Sequence, residues 1–233
     1  GRLAAIDMRF VNPSLPSDPD SKLNQMIDCV IEVYKRTAGN EYLGKDGQTE
    51  PAKGGAQMVF SDLGFGAGVT EHRGFNARAW MEKRLRDAGI PPGQVAFMSD
   101  HKKSTAKLKL FQDVNAGRVR VLVGSSKNMG TGVNAQQRLV ALHHLDTPWY
   151  PADLEQREGR IIRQGNKNPL VEIYAFSTKG SYDTVMWQML ASKQRFIDQA
   201  LSGDSSVRSI DDLTEASQFQ IATAMTAGDP RAI

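Results

Sequence analysis

Arg160 and Arg163 stand three residues apart in the run DLEQREGRIIRQG (153–165), and Gln156 precedes them by one helical turn. Residues three apart on a helix share a face, so the spacing predicts two guanidiniums held side by side. They repel unless an anion sits between or in front of them. Arginine offers a planar fork suited to bidentate phosphate contact, and it stays charged at any working pH. An isolated RxxR reads more readily as a solvated basic face. Here it has company: a glycine turn, GTG (130–132), lies upstream and leads to Asn134.

These residues need elements to position them. An apolar run, VRVLVG (119–124), leads into the glycine turn, and RLVALHHLD (138–146) ends at the polar loop TPWYPAD (147–153). In parallel α/β sheets the loops at the carboxyl ends of strands form the ligand crevice, and both loops are such ends. Upstream, QMVFS (57–61) reads as a buried strand, 77–88 as a helix with Trp80, Met81, Leu85 and Ala88 inward, and 95–98 as a strand. A basic helix follows at 102–116, with Leu108, Leu110 and Phe111 on its buried side. Strands alternating with helices of this length imply a parallel sheet with right-handed crossovers.

The flanks are simpler. From Ser21, the apolar residues Leu23, Met26, Ile27, Val30, Ile31 and Tyr34 keep helical spacing, with Asp20 or Ser21 as cap and Gly39 as stop. Residues 1–20, rich in Pro and Asp, read as an extended lead-in. The stretch 171–180 reads as a final strand. A long helix over 181–201 follows, with Val185, Met186, Met189, Leu190, Phe196, Ile197 and Leu201 inward and Trp187 packed. Beyond Gly203 the periodicity weakens, which makes 202–233 a polar tail.

Composition excludes several classes. With 233 residues, 40% apolar and 24% charged, the chain can bury one good core, as ordinary soluble domains do. The net charge of +3 is uneven: residues 71–120 hold eleven Lys/Arg against five Asp/Glu, a belt that suits a phosphate backbone or a solvated face about equally. Cys29, the only cysteine, lies on an apolar helix stripe and reads as core; no disulfide or cysteine-cluster metal site is possible within the chain. His72, His101, His143 and His144 lack ligand spacing, and at most one of the last two can face a crevice. No metal site is expected. No signal peptide or membrane span is recognisable, so the cytoplasm of a bacterial or phage-infected cell is expected. GFGAGVTEHRG (64–74) has the wrong glycine spacing for a dinucleotide fingerprint and reads as a surface loop. Gly44-Lys45 continues into Asp-Gly, so no phosphate-binding G-x-x-x-x-G-K-[ST] loop is present, nor an acidic pair after a strand to hold Mg²⁺.

At GTGVN (130–134), D-x-x-W-x-P (146–151) and Q-x-x-G-R-x-x-R-x-G (156–165) the sequence resembles motifs V and VI of superfamily 2 helicases and translocases, with Swi/Snf-type spacing. The phrase LVALHHLDTPWYPADLEQREGRIIRQGN (139–166) further resembles phage- and plasmid-borne proteins that join an adenine DNA methyltransferase to a Swi/Snf-like helicase. The resemblance is dense over 21–201 and thinner in the tail.

It implies a RecA-like three-layer α/β sandwich with a mostly parallel sheet: the second lobe of a two-lobed motor that closes over ATP and Mg²⁺ bound on the first. The resemblance makes Arg163 the arginine finger and Arg160 its companion, with Gln156, Gly159, Gly130, Gly132 and Asn134 at the ATP face. It places Ser61, Asp62, Ser125 and Thr131 at nucleic acid, most simply duplex DNA. Asp146 and Trp149 shape the loop before motif VI. The implied partners are DNA, an upstream RecA-like lobe of the same parent chain and a methyltransferase domain, with no membrane. The fragment alone is expected to hydrolyse little ATP. Two other readings stay open: a nucleic-acid-binding α/β module without motor chemistry, and a free-standing α/β enzyme for a small nucleotide. The second lacks any acid, base or nucleophile constellation in the sequence.

Overall fold

The computed structural model describes residues 1–44, 46–65, 74–129 and 134–202. Five strands form one parallel sheet in the order β2-β3-β1-β4-β5. They are β1 (Ala56–Phe60), β2 (Val95–Phe97), β3 (Val121–Gly124), β4 (Leu139–His144) and β5 (Glu172–Ala175). Among the described residues the helices are α1 (Arg2–Ile6), α2 (Lys22–Arg36), α3 (Ala77–Asp87), α4 (Ser104–Asn115), α5 (Ser126–Met129), α6 (Pro151–Glu158) and α7 (Tyr182–Ser202).

β1 is the centre of the sheet, and all five of its residues are buried. Its alternate residues serve two cores. Val59 joins Val121 and Val123 beneath Leu23, Met26, Ile27 and Val30 of α2 and Met81 and Leu85 of α3. Met58 and Phe60 join Leu122 and Leu142 beneath Leu110, Phe111 and Val114 of α4 and Ile161. Phe60 pairs with Gly124 on one side and with His144 on the other, so the strands end together along one edge.

The first helical stretch departs from the expected lead-in. Arg2–Ile6 is helical and Met8–Phe10 forms a 3-10 turn. Ile6 and Phe10, four apart, enter the core beside α2, a pair hidden by the Pro- and Asp-rich run that follows. Asp7 accepts from Arg9 and from Ser21, whose own hydroxyl caps α2.

Three other expectations change. Leu108 is exposed, because the buried stripe of α4 runs through Leu110, Phe111 and Val114. On α7, Val185, Met186, Met189 and Leu190 are buried but Ile197 is exposed; the side chains of Phe196 and Leu201 lie outside the described set. The final strand is only four residues long, ending at Ala175. Among the described residues no helix is long and apolar enough to cross a membrane, and no group of His, Cys, Asp or Glu is arranged to hold a metal.

Candidate functional site

The carboxyl edge of the sheet is held by one buried guanidinium. Arg157 of α6, 1% exposed, points into the junction of the loops that follow β1, β3 and β4. Its Nη2 donates to Asp62 Oδ2 (2.6 Å) and lies 3.2 Å from Asp146 Oδ1. Nη1 donates to the Asp146 carbonyl (2.8 Å) and Nε to Ser126 Oγ (2.7 Å). Asp62 in turn accepts from the Ser126 amide (2.7 Å) and hydroxyl (2.9 Å). Asp146 Oδ2 accepts from the amides of Asp62 (2.7 Å) and Leu63 (2.9 Å). Burial raises the Asp146 carboxyl above its ordinary range, with Arg157 pulling the other way.

Above this cluster a cleft of about 140 Å³ opens between the ends of β1, β2 and β3, lined by Ser61, Asp62, Phe97, Ser99, Ser125 and Asn128. Arg78 frames its outer wall. It grips Asp100 through both terminal nitrogens (2.6 and 2.7 Å) and lies 4.2 Å above the Phe97 ring. Exposed Lys102 and Lys103 follow directly.

Below the cleft, His143 and His144 end β4, and neither is exposed. His143 Nε2 meets Gln57 Oε1 (2.8 Å), and its ring stacks on Tyr174. His144 lies 3.5 Å from Glu158 and edge-on to Trp187, which is packed as expected. Burial pushes both imidazoles down to about 3; neither faces the crevice.

The two arginines of the QREGRIIRQG run lie elsewhere and are not helical. α6 stops at Glu158, where Gly159, the poorest helix former after proline, takes the C-cap. Arg160 and Arg163 therefore occupy the turns that follow, and the shared helical face expected of them does not form. The chain has by then run back to the opposite edge: Asn166 Nδ2 donates to the carbonyl of Leu139, the first residue of β4 (2.9 Å). Ile161, 1% exposed, anchors the turn in the core, while Ile162 and Arg163 face solvent and Arg160 is half-buried. Burial and then the charge of Arg163 hold the Arg160 guanidinium below its ordinary value.

The remaining expected residues divide between the edges. Ser61 is buried, with its hydroxyl at the Leu63 carbonyl and 3.2 Å from Asp146, so it shapes the cleft from within. Asp62 and Ser125 border the cleft. Gln156 and Gly159 are exposed, whereas Arg157 between them is buried. Asn134 lies against the end of α4: its carbonyl accepts from Asn115, whose Oδ1 takes the Gln137 amide. Gly130, Thr131 and Gly132 lie outside the described residues, as does most of the 64–74 glycine run. Asp146 does shape the loop before α6, and Trp149 is exposed beneath the Arg2 guanidinium, which also donates to the Thr147 carbonyl. Arg157 was not among the expected residues. Its signal was a charge on the inward stripe of α6, in line with Leu154 and Ile161.

Residues 76–165 fit the family model described as "Helicase conserved C-terminal domain". Over these residues the chain is similar to helicase C-terminal domains. It is 30% identical over 121 residues to the defense against restriction protein B of Escherichia phage P1, covering 52% of this chain and 5% of that protein. It is 31% identical over 124 residues to the uncharacterized ATP-dependent helicase YqhH of Bacillus subtilis (strain 168), covering 53% and 21% respectively. The chain thus matches only a small part of either relative's length. The C-terminal part of the Fun30 ATPase domain superposes with a TM-score of 0.51 at 16% identity, over 77% of this chain and 49% of that one. At that identity the likeness is one of fold, a parallel five-stranded α/β sheet packed with helices.

Proposed function

We propose that the chain is the second motor lobe of a DNA-dependent ATPase, with residues 21–201 as the lobe and 202–233 leading into a further segment. A first RecA-like lobe binds ATP and Mg²⁺, and this lobe presents Arg163 and Arg160 to the phosphates in trans. The observation that carries this is the exposed turn itself. Arg163 is exposed and Arg160 half-buried on a turn pinned by buried Ile161, and their planar forks suit the several oxygens of a phosphate. Bound ATP would supply the phosphoryl group and Mg²⁺ its charge neutralisation. The residues here bind and orient: Arg163 meets the terminal phosphate, and Arg160 braces it.

DNA lies along the carboxyl edge, where Asp62 and Ser125 border the cleft and Lys102 and Lys103 are exposed. Lysines there neutralise phosphates without reading sequence. The match to part of a phage defense against restriction protein supports an antirestriction setting; on this reading the parent protein tracks duplex DNA in the cytoplasm and carries a methyltransferase domain. The test joins this chain to a first RecA-like lobe and measures ATP hydrolysis with and without duplex DNA. Stimulation by DNA is the expected result. A rate indifferent to DNA would leave a nucleic-acid-binding α/β module.

A further inference from the structure

We propose that Arg157 is a positioning residue that couples the loops facing DNA to the arginine turn. The coupling presupposes the motor reading above and gives it a route between its two sites.

The geometry is that of a linkage. Three loops from three strands converge on one side chain: Asp62 after β1, Ser126 after β3 and Asp146 after β4. Asp62 and Ser126 also hold each other by two hydrogen bonds, so they move as one piece. The backbone of Arg157 carries the other end. Its carbonyl accepts the Arg160 amide (3.1 Å), and the carbonyl of neighbouring Glu158 accepts those of Ile161 and Ile162 (3.0 Å each). One residue therefore binds the cleft loops with its guanidinium and the arginine turn with its main chain. A displacement of the 61–63 or 125–126 segment must break bonds to Arg157 or turn α6 with it, and α6 leads directly into Arg160.

Stability alone does not explain the choice of residue. A buried ion cluster is no more stabilising than well-packed apolar side chains of like volume, and Ile161 shows that this face of the segment accepts them. What an apolar residue cannot do is fix three polar loops at defined distances. Lysine cannot either: it is a point charge on a flexible stem, without the planar fork.

The test uses the two-lobe protein with Arg157→Lys and Arg157→Met. ATP turnover is measured without DNA and at saturating duplex, together with DNA affinity at fixed salt and the thermal unfolding curve. The expected result is a fall of about 5–150-fold in the ratio of stimulated to unstimulated turnover, the usual range of coupling between sites. DNA affinity should stay within about three-fold, a small part of that range. A folded Arg157→Lys protein with the wild-type ratio overturns the coupling, and so does loss of DNA affinity in step with loss of stimulation. If Arg157→Met does not fold, Arg157→Lys decides. Wild-type turnover that ignores DNA removes the motor reading itself, a result distinct from either variant's.

Discussion

Arg157 and Arg163 are six residues apart on one segment, yet their surroundings are opposite. The first is 1% exposed, with its donors spent on Asp62, Asp146 and Ser126. The second faces solvent on a turn, three residues beyond half-buried Arg160. One cation is held inside by two carboxylates; the other stands at the surface. Neighbouring arginines in a motif are therefore not one functional class. Burial and partners separate a residue that ties three loops together from residues at or near the surface. Two further arginines reinforce the contrast. Arg120 and Arg138 are buried at the amino edge, with Arg120 donating to the Gly55 and Tyr34 carbonyls and Arg138 to the Ala52 carbonyl.

The contrast breaks most easily at Arg157. Arg157→Ala leaves the buried Asp146 and its neighbour Asp62 without their counter-charge, and should cost about 3–5 kcal/mol in urea unfolding. A loss under about 1 kcal/mol would mean that the cluster is solvated and the two arginines are alike.

Acid sharpens the same boundary, because His143 and His144 lie under the cluster. Unfolded, each ring takes a proton near 6.5; folded, only near 3. Across that window the unfolded state binds more protons, so stability falls as pH falls, by about 1.4 kcal/mol per pH unit per ring. Unfolding midpoints measured between pH 6 and 4 should show this slope, and His144→Phe should remove one ring's share. A slope unchanged by that substitution would assign the acid sensitivity to carboxylates instead. The smallest effect belongs to the arginine turn: Arg163→Ala should shift unfolding by no more than about 0.5 kcal/mol, the usual size at an exposed site.

Much of this lobe could be read before its structure was known. β1, β3 and β4 are apolar runs of strand length between turn residues, and α2 carries six apolar residues in helical register from a serine cap. Those patterns arise from burial against neighbours in the layers, so they survive in the sequence. Arg160 and Arg163 stand out in the sequence because two cations three residues apart on one segment suit an anion. Their setting does not: the RxxR spacing fits a helix and a turn alike, and Gly159 decides for the turn. Arg157 was hidden because its partners come from three loops up to 95 residues away. No local period encodes a contact of that range. Ile6 and Phe10 were missed for a similar reason, since their value lies in the α2 and α3 side chains they meet.

The most direct measurement is ATP turnover with saturating duplex DNA in the two-lobe protein, for wild type and Arg163→Ala, alongside the unfolding midpoint of each. An arginine presented in trans predicts a fall of about 10³–10⁵ in turnover with the midpoint unmoved. Turnover within about two-fold of a DNA-stimulated wild type, against that range, would contradict it. The exposed turn would then be surface, and the resemblance would extend to the fold without the finger.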